Sequence, residues 1–184
     1  HVYYTRFSPP PTWRDLFEKP NLTQIWLATS EDGWHWNEIG QVLPDSSGAA
    51  WHQVGKHAPH VIRANGRFFM YYTAHLGPDY CNKRIGLTVA DNPAGPFKHV
   101  GSGPLLASAA DAVSDSVGQD DSCVLQRGNE FWWYFKGYFA DPKTGRIVNN
   151  HLCLATASSP EGPYSRYKDN PVTLTHTGCL WPQG

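Results

Sequence analysis

Two fifteen-residue stretches align without a gap at an offset of 63 positions: APHVIRANGRFFMYY (58–72) and DSCVLQRGNEFWWYF (121–135). Each reads as a strand, a tight turn at Asn65-Gly66 or Gly128-Asn129, and an aromatic strand. A shorter copy, TGCLWPQG (177–184), repeats the first half once more. A period of about 60 residues built from hairpins points to an array of like β units rather than one continuously wound core. It also lines up residues from separate units, so polar groups at equivalent places can be compared directly.

A second repeated segment follows each aromatic hairpin. IGLTVADNPAGPFKHVGSGPLL (85–106) lies over LCLATASSPEGPYSRYKDNPVT (152–173), and IWLATSEDGWHWNEIGQVL (25–43) takes the same role earlier. Alternation before the proline predicts a third strand, and the stretch after the turn an outer one. Four strands per unit describe a propeller blade. With 8 Trp, 9 Tyr, 8 Phe, 17 Gly and 15 Pro, the composition suits short strands joined by turns.

The expected fold is therefore an all-β partial β-propeller in a single domain, with about three blades' worth of four-stranded antiparallel sheets. An incomplete blade spans 1–43, complete blades span 57–106 and 119–173, and a lone inner strand spans 174–184. VYYT (2–5) matches MYYT (70–73), which places the first residues in the second strand of a blade. Three blades do not close a ring, and open strand edges invite association. We expect a homo-oligomer, with a second copy exchanging the terminal strand, or a missing remainder of the propeller. Residues 6–21, with Pro9-Pro10-Pro11, read as a loop with a helical turn at 12–18, and 44–56 and 107–119 read as links between blades.

Charge and cysteine content narrow the function classes. A net charge of −1 gives no general attraction to nucleic acid or anionic lipid, and no apolar run is long enough to span a bilayer. None of Cys81, Cys123, Cys153 and Cys179 forms a C-x-x-C pair, so a zinc ribbon or redox motif is not indicated. Cys123 and Cys179 share a repeat position and read as small buried residues.

Ser-x-Asp-Gly-x-x-Trp at 30–36, Ala-Pro-x-Val at 58–61, and the repeated Asn/Ser-Pro-x-Gly-Pro-Phe/Tyr together carry a family resemblance. The chain resembles the five-bladed propeller glycoside hydrolases of family 43 and their relatives, including the family 117 neoagarobiose hydrolases. The resemblance covers nearly the whole chain, mostly through blade scaffolding. It implies a glycosidase acting on an oligosaccharide through carboxylate and His acid-base chemistry, secreted or periplasmic, with no cofactor other than an axial calcium. A non-catalytic carbohydrate-binding or assembly module on the same scaffold is the alternative.

Aligned inner strands give two positional sets: Ala58, Asp121 and Thr177, and His57, Asp120 and His176. Equivalent strand starts converge on a propeller axis. Carboxylates sharing such a pocket can divide into acid and base when unlike environments separate their pKa values. By resemblance Asp121 is the inner-strand carboxylate that tunes the acid and orients the sugar. In a strictly alternating strand only one of Asp120 and Asp121 faces the pocket, the other being a solvated or turn-capping group. His176 precedes Trp181-Pro182 as does the His proposed as general acid in the family 117 subgroup, with Thr177 where that subgroup has Glu. A structural, hydrogen-bonded His is the other reading. The base that the resemblance implies, an Asp on the inner strand of the opening blade, is not in this sequence.

Substrate contacts are expected from His57, His60, Trp51, His52 and Arg84. His57 and His60 are three apart and point to opposite faces of a strand, so no shared metal is expected from them. A single axial His beside calcium or water, or one bonded to sugar, fits the resemblance. Trp51 beside His52 is the candidate stacking platform, whereas Trp132 and Trp133 alternate along a strand as inter-blade core, and Arg84 has a surface role as its other reading. Glu161 aligns with Ala94 in a third-to-outer-strand turn and is not expected to be catalytic.

Overall fold

Three antiparallel sheets form the computed structural model, which describes residues 1–7, 23–43, 51, 54–76, 79, 81–108 and 114–173. The first sheet runs β1 (Val2–Phe7), β2 (Thr23–Thr29) and β3 (Asn37–Gln41). The second runs β4 (Val54–Ala64), β5 (Arg67–His75), β6 (Lys83–Ala90) and β7 (Lys98–His99). The third runs β8 (Gly118–Arg127), β9 (Glu130–Ala140), β10 (Ile147–Ala157) and β11 (Ser165–Arg166). Every neighbour in each sheet is also the neighbour in sequence, as in a meander, and the all-β propeller expectation holds.

The hairpins follow from local chemistry. Asn65 and Gly66 both take positive φ, 51° and 77°, the requirement of the two-residue turn whose twist matches its flanking strands. Between Arg127 and Glu130 the Gly128-Asn129 turn places its positive φ, 61°, on the glycine.

β5 explains why a strand here reads as an unbroken apolar run. Its successive side chains alternate between two interfaces. Phe69 and Tyr71 join Ile85, Leu87, Trp133, Phe135 and others in the core between the second and third sheets. Met70, Tyr72 and Ala74 join Ile25, Leu27, Val42 and Leu43 in the core against the first sheet. Both faces are covered, so neither can carry solvated polar groups. Each large side chain sealed this way stabilises by about 1.5–3 kcal/mol.

Two hydrogen bonds recur between successive sheets and fix their stacking. Tyr3 of β1 donates its hydroxyl to the Pro93 carbonyl of the second sheet. Tyr71 of β5, its repeat equivalent, donates to the Pro160 carbonyl of the third at 2.7 Å. At the other end of the strands, Ala58 N–H donates to Thr5 Oγ1 at 2.9 Å, and Asp121 N–H donates to Thr73 Oγ1 at 3.2 Å. Ala58 and Asp121 are repeat equivalents, as are Thr5 and Thr73. The register thus repeats from sheet to sheet at both ends.

Cys123 and Cys153 are buried free thiols and Cys81 is half-buried. Cys179, Trp181 and the expected helical turn at 12–18 lie outside the described residues. Among the described residues no helix is long and apolar enough to cross a membrane.

Candidate active site

Asp120 and Asp121 stand near the start of β8, where that strand meets β4 and β5. Between Asp120 and Ser122 the pairing with β9 gains one extra residue, a β-bulge. Asp121 is that residue and has φ 46°, in the left-handed region that Asp tolerates better than most side chains. The same one-residue slip occurs in β4 between His57 and His60, where Ala58 has φ 48°. Strict alternation predicts that only one of the two carboxylates faces the cluster. The bulge removes that alternation, and one ammonium group, Lys136 Nζ, lies 2.9 Å from Asp121 Oδ2 and 3.7 Å from Asp120 Oδ2.

The two carboxylates occupy unlike surroundings. Asp120 is sealed, its side chain 3% exposed, against a fully buried Lys83 whose Nζ lies 2.6 Å from Oδ2. Tyr138 OH donates to the same oxygen at 2.9 Å, and His57 Nε2 lies 3.4 Å from Oδ1. The Asp121 N–H also reaches Asp120 Oδ1, at 3.0 Å. Burial acts to raise the Asp120 pKa, but His57, Lys83 and Lys136 outweigh it and hold the carboxyl well below its usual range. Asp121 keeps some solvent access, its side chain 14% exposed. Burial and the neighbouring Asp120 charge push its pKa up, against the pull of Lys136 and His57. A carboxylate held in its charged form thus sits beside a carboxyl whose proton is more readily held.

Three of the expected site residues come together: His57, Asp120 and Asp121. The His57 Nδ1 atom is buried without a hydrogen-bond partner among the described residues, and its ring lies 4.9 Å from that of His75. His60 turns away, its Nε2 3.2 Å from the Val124 carbonyl, along an open cleft of about 820 Å³ also lined by Tyr3, Arg63 and Leu125. Arg84 donates through Nη1 to the carbonyls of Lys83 and Val117, tying β6 to the segment before β8. Trp51 packs against the core between the first two sheets. His52 and His176 lie outside the described residues. Glu161 sits in the turn after β10, 3.7 Å from Arg67 of the second sheet.

Lys83, Lys136, Tyr138 and His75 belong to the cluster, and Lys83, Tyr138 and His75 carry no marker in the hairpin repeat. Lys136 had a detectable signal: the positions of Thr5 and Thr73 correspond to it, and it alone is not threonine. As for calcium, among the described residues no three His, Cys, Asp or Glu side chains converge to hold an ion. One oxygen of each carboxylate near His57, Asp120 Oδ2 and Asp121 Oδ2, is engaged by an ammonium group.

Residues 15–138 match the family model of glycosyl hydrolases family 43. The chain is 25% identical to an extracellular endo-alpha-(1->5)-L-arabinanase of Thermotoga petrophila, over 79% of this chain and 39% of that protein. A family 117 glycoside hydrolase produced by the marine bacterium Zobellia galactanivorans superposes with TM-score 0.76 at 24% identity, covering 92% of this chain and 51% of that one. Another solved glycoside hydrolase gives TM-score 0.68 at 17% identity, covering 82% and 49%. The chain thus spans about half, or less, of the relatives it matches, and the superpositions establish the partial propeller fold.

Proposed function

The chain belongs to the glycosyl hydrolases of family 43, and from that premise we propose that it supplies the Asp120–Asp121 side of a glycosidase active site. The observation that carries the reading is the adjacent pair of carboxylates in opposed environments, one sealed against Lys83 and one partly open beside Lys136. Pairs of carboxyls driven apart in pKa are how one site performs acid and base work together.

Glycosidic cleavage needs a proton delivered to the leaving oxygen and a carboxylate that activates water or attacks the sugar from the opposite face. Asp121 has the partly open position and the raised pKa suited to handling a proton or a sugar hydroxyl. Asp120 is too enclosed to meet a sugar and acts as the fixed negative charge that orients His57, Tyr138 and Lys83. His57 is the substrate-facing imidazole of this group. His176 completes the acid side in this reading, and His52 is its further sugar contact.

An α-1,5-linked arabino-oligosaccharide is the first substrate to test, and an extracellular location goes with it, both supported by the arabinanase relative. The protein is assayed on arabino-oligosaccharides alongside agar- and xylan-derived ones, as wild type and as Asp121→Asn. Turnover reduced at least about a hundredfold by Asp121→Asn supports the assignment. Turnover untouched by the substitution removes Asp121 from the mechanism. Sugar binding with no turnover in either protein assigns the binding-module alternative.

A further inference from the structure

Thr5 and Thr73 each accept a backbone N–H from the bulge of the following sheet. The corresponding position in the third sheet is Lys136, which instead reaches the bulge of its own sheet. Register confirms the correspondence: Thr73 pairs with His57 across β5 and β4, and Lys136 pairs with Asp120 across β9 and β8. A hydroxyl at this place would reach neither carboxylate as a cation. The ammonium reaches both.

We propose that Lys136 is the positioning residue of the Asp120–Asp121 pair, bridging the two carboxylates and fixing where the Asp121 side chain points. Its stem is held by the strand, and its Nζ lies 5.6 Å from the centre of the Tyr138 ring, which limits the directions it can take. Lys83 grips Asp120 from β6 at 2.6 Å, so Asp120 keeps a cation of its own. Asp121 differs: Lys136 is the cation it touches among the described residues. The other titratable or charged groups around the pair are His57 from β4, His75 from β5, Lys83 from β6, Tyr138 from β9, and Cys81 before β6. Burial and the Asp120 charge favour the protonated form of Asp121, and Lys136 opposes them more strongly than His57 does.

The electrostatic claim stands whether or not the protein is a glycosidase; its consequence for turnover rests on that reading. Carbon-detected NMR titration of the Asp121 carboxyl separates the two. Lys136→Met raises the Asp121 midpoint by about one pH unit or more, the shift expected when a contacting cation is lost. Lys136→Arg returns it to within about half a unit of wild type. Lys136→Gln repeats the measurement at polar volume should the methionine variant not fold, and native amide shifts in β5 and β9 report folding in each case. A Met or Gln variant with an unchanged Asp121 midpoint overturns the proposal, as does an Arg variant displaced as far as Met. If the titration shifts while wild type turns over no oligosaccharide, the bridge stands and the glycosidase reading falls.

Discussion

Lys83 Nζ lies 2.6 Å from Asp120 Oδ2, with both side chains sealed from solvent and contributed by different sheets, β6 and β8. A buried pair of this kind need not stabilise relative to apolar replacements, because desolvating two charges opposes their attraction. Breaking it from one side is another matter. Lys83→Met strands a sealed carboxylate short of its nearest cation, and a loss of about 3–5 kcal/mol is expected in urea denaturation. Asp120→Asn introduced together with Lys83→Met recovers part of that loss. A double variant no more stable than the single one contradicts the account.

The pair also fixes one acid limb of stability. The folded-state pKa of Asp120 is depressed, so its contribution is complete above the ordinary carboxylate range and is lost as pH falls through the folded value. In Lys83→Met the depression is smaller and the contribution starts smaller. Denaturation midpoints followed from neutral pH downward should therefore show a shallower acid limb in the variant.

Thr73→Val tests the inter-sheet latch. The substitution keeps shape and removes the acceptor of the Asp121 N–H, which retains Asp120 Oδ1 at 3.0 Å. A cost of about 0.5–1.5 kcal/mol follows. Thr5→Val removes the equivalent acceptor for Ala58 at similar cost. Only the Thr73 variant should alter the Asp121 carboxyl titration, because only there does the latched residue bear a carboxyl. Equal effects of both variants on that titration would count against a local latch.

The repeat made the hairpins legible because a covered strand must be apolar throughout and a two-residue turn must accept positive φ, and both constraints act on neighbouring residues. The placement of Asp120 and Asp121 side by side at an axial strand start came from the same alignment. Their joint orientation did not, since strict alternation separates them and the bulge that defeats it shows only in the folded backbone, as a slip in the β8–β9 pairing and a left-handed φ at Asp121. The cations were hidden for another reason. A lysine stem packs like an aliphatic side chain whether its ammonium meets water or a buried carboxylate. Lys83 also lies two residues before the segment where the second repeat becomes recognisable at Ile85, and Lys136 one residue after the hairpin match ends at Phe135.

His75 supplies a separate pH dependence. Burial, with His57 and Lys83 adding to it, holds its pKa down at about 3, while Asp120 pulls the other way. The folded state therefore keeps this imidazole neutral in a range where the unfolded chain protonates it. Stability from this source is complete above the ordinary imidazole value near 6.5 and declines as pH falls toward 3. Between pH 6.5 and 4 the loss is about 3 kcal/mol. His75→Gln should flatten that interval while leaving the Asp120 limb at lower pH. An equally steep decline in the variant places the titrating group elsewhere.

Gly118 shows how backbone approach serves the charged pair. A Cβ built there would lie 2.0 Å from the Cys81 carbonyl oxygen and 3.3 Å from Lys83 N. That same carbonyl accepts the Lys83 N–H at 3.0 Å, in the turn that leads into β6. Only a residue without Cβ lets the start of β8 close on this turn and bring Asp120 within reach of the Lys83 ammonium. Gly118→Ala must therefore push backbone away from backbone, which a rotamer change cannot relieve, and a cost of about 1–3 kcal/mol is expected. Gly103→Ala is the control, since nothing lies within 4 Å of its Cβ and its φ is not in the left-handed region. There the substitution should be neutral or stabilising by up to about 1 kcal/mol through the unfolded chain. The decisive measurement is the acid limb of each variant: Gly118→Ala should weaken the Asp120 dependence as Lys83→Met does, and Gly103→Ala should leave it unchanged.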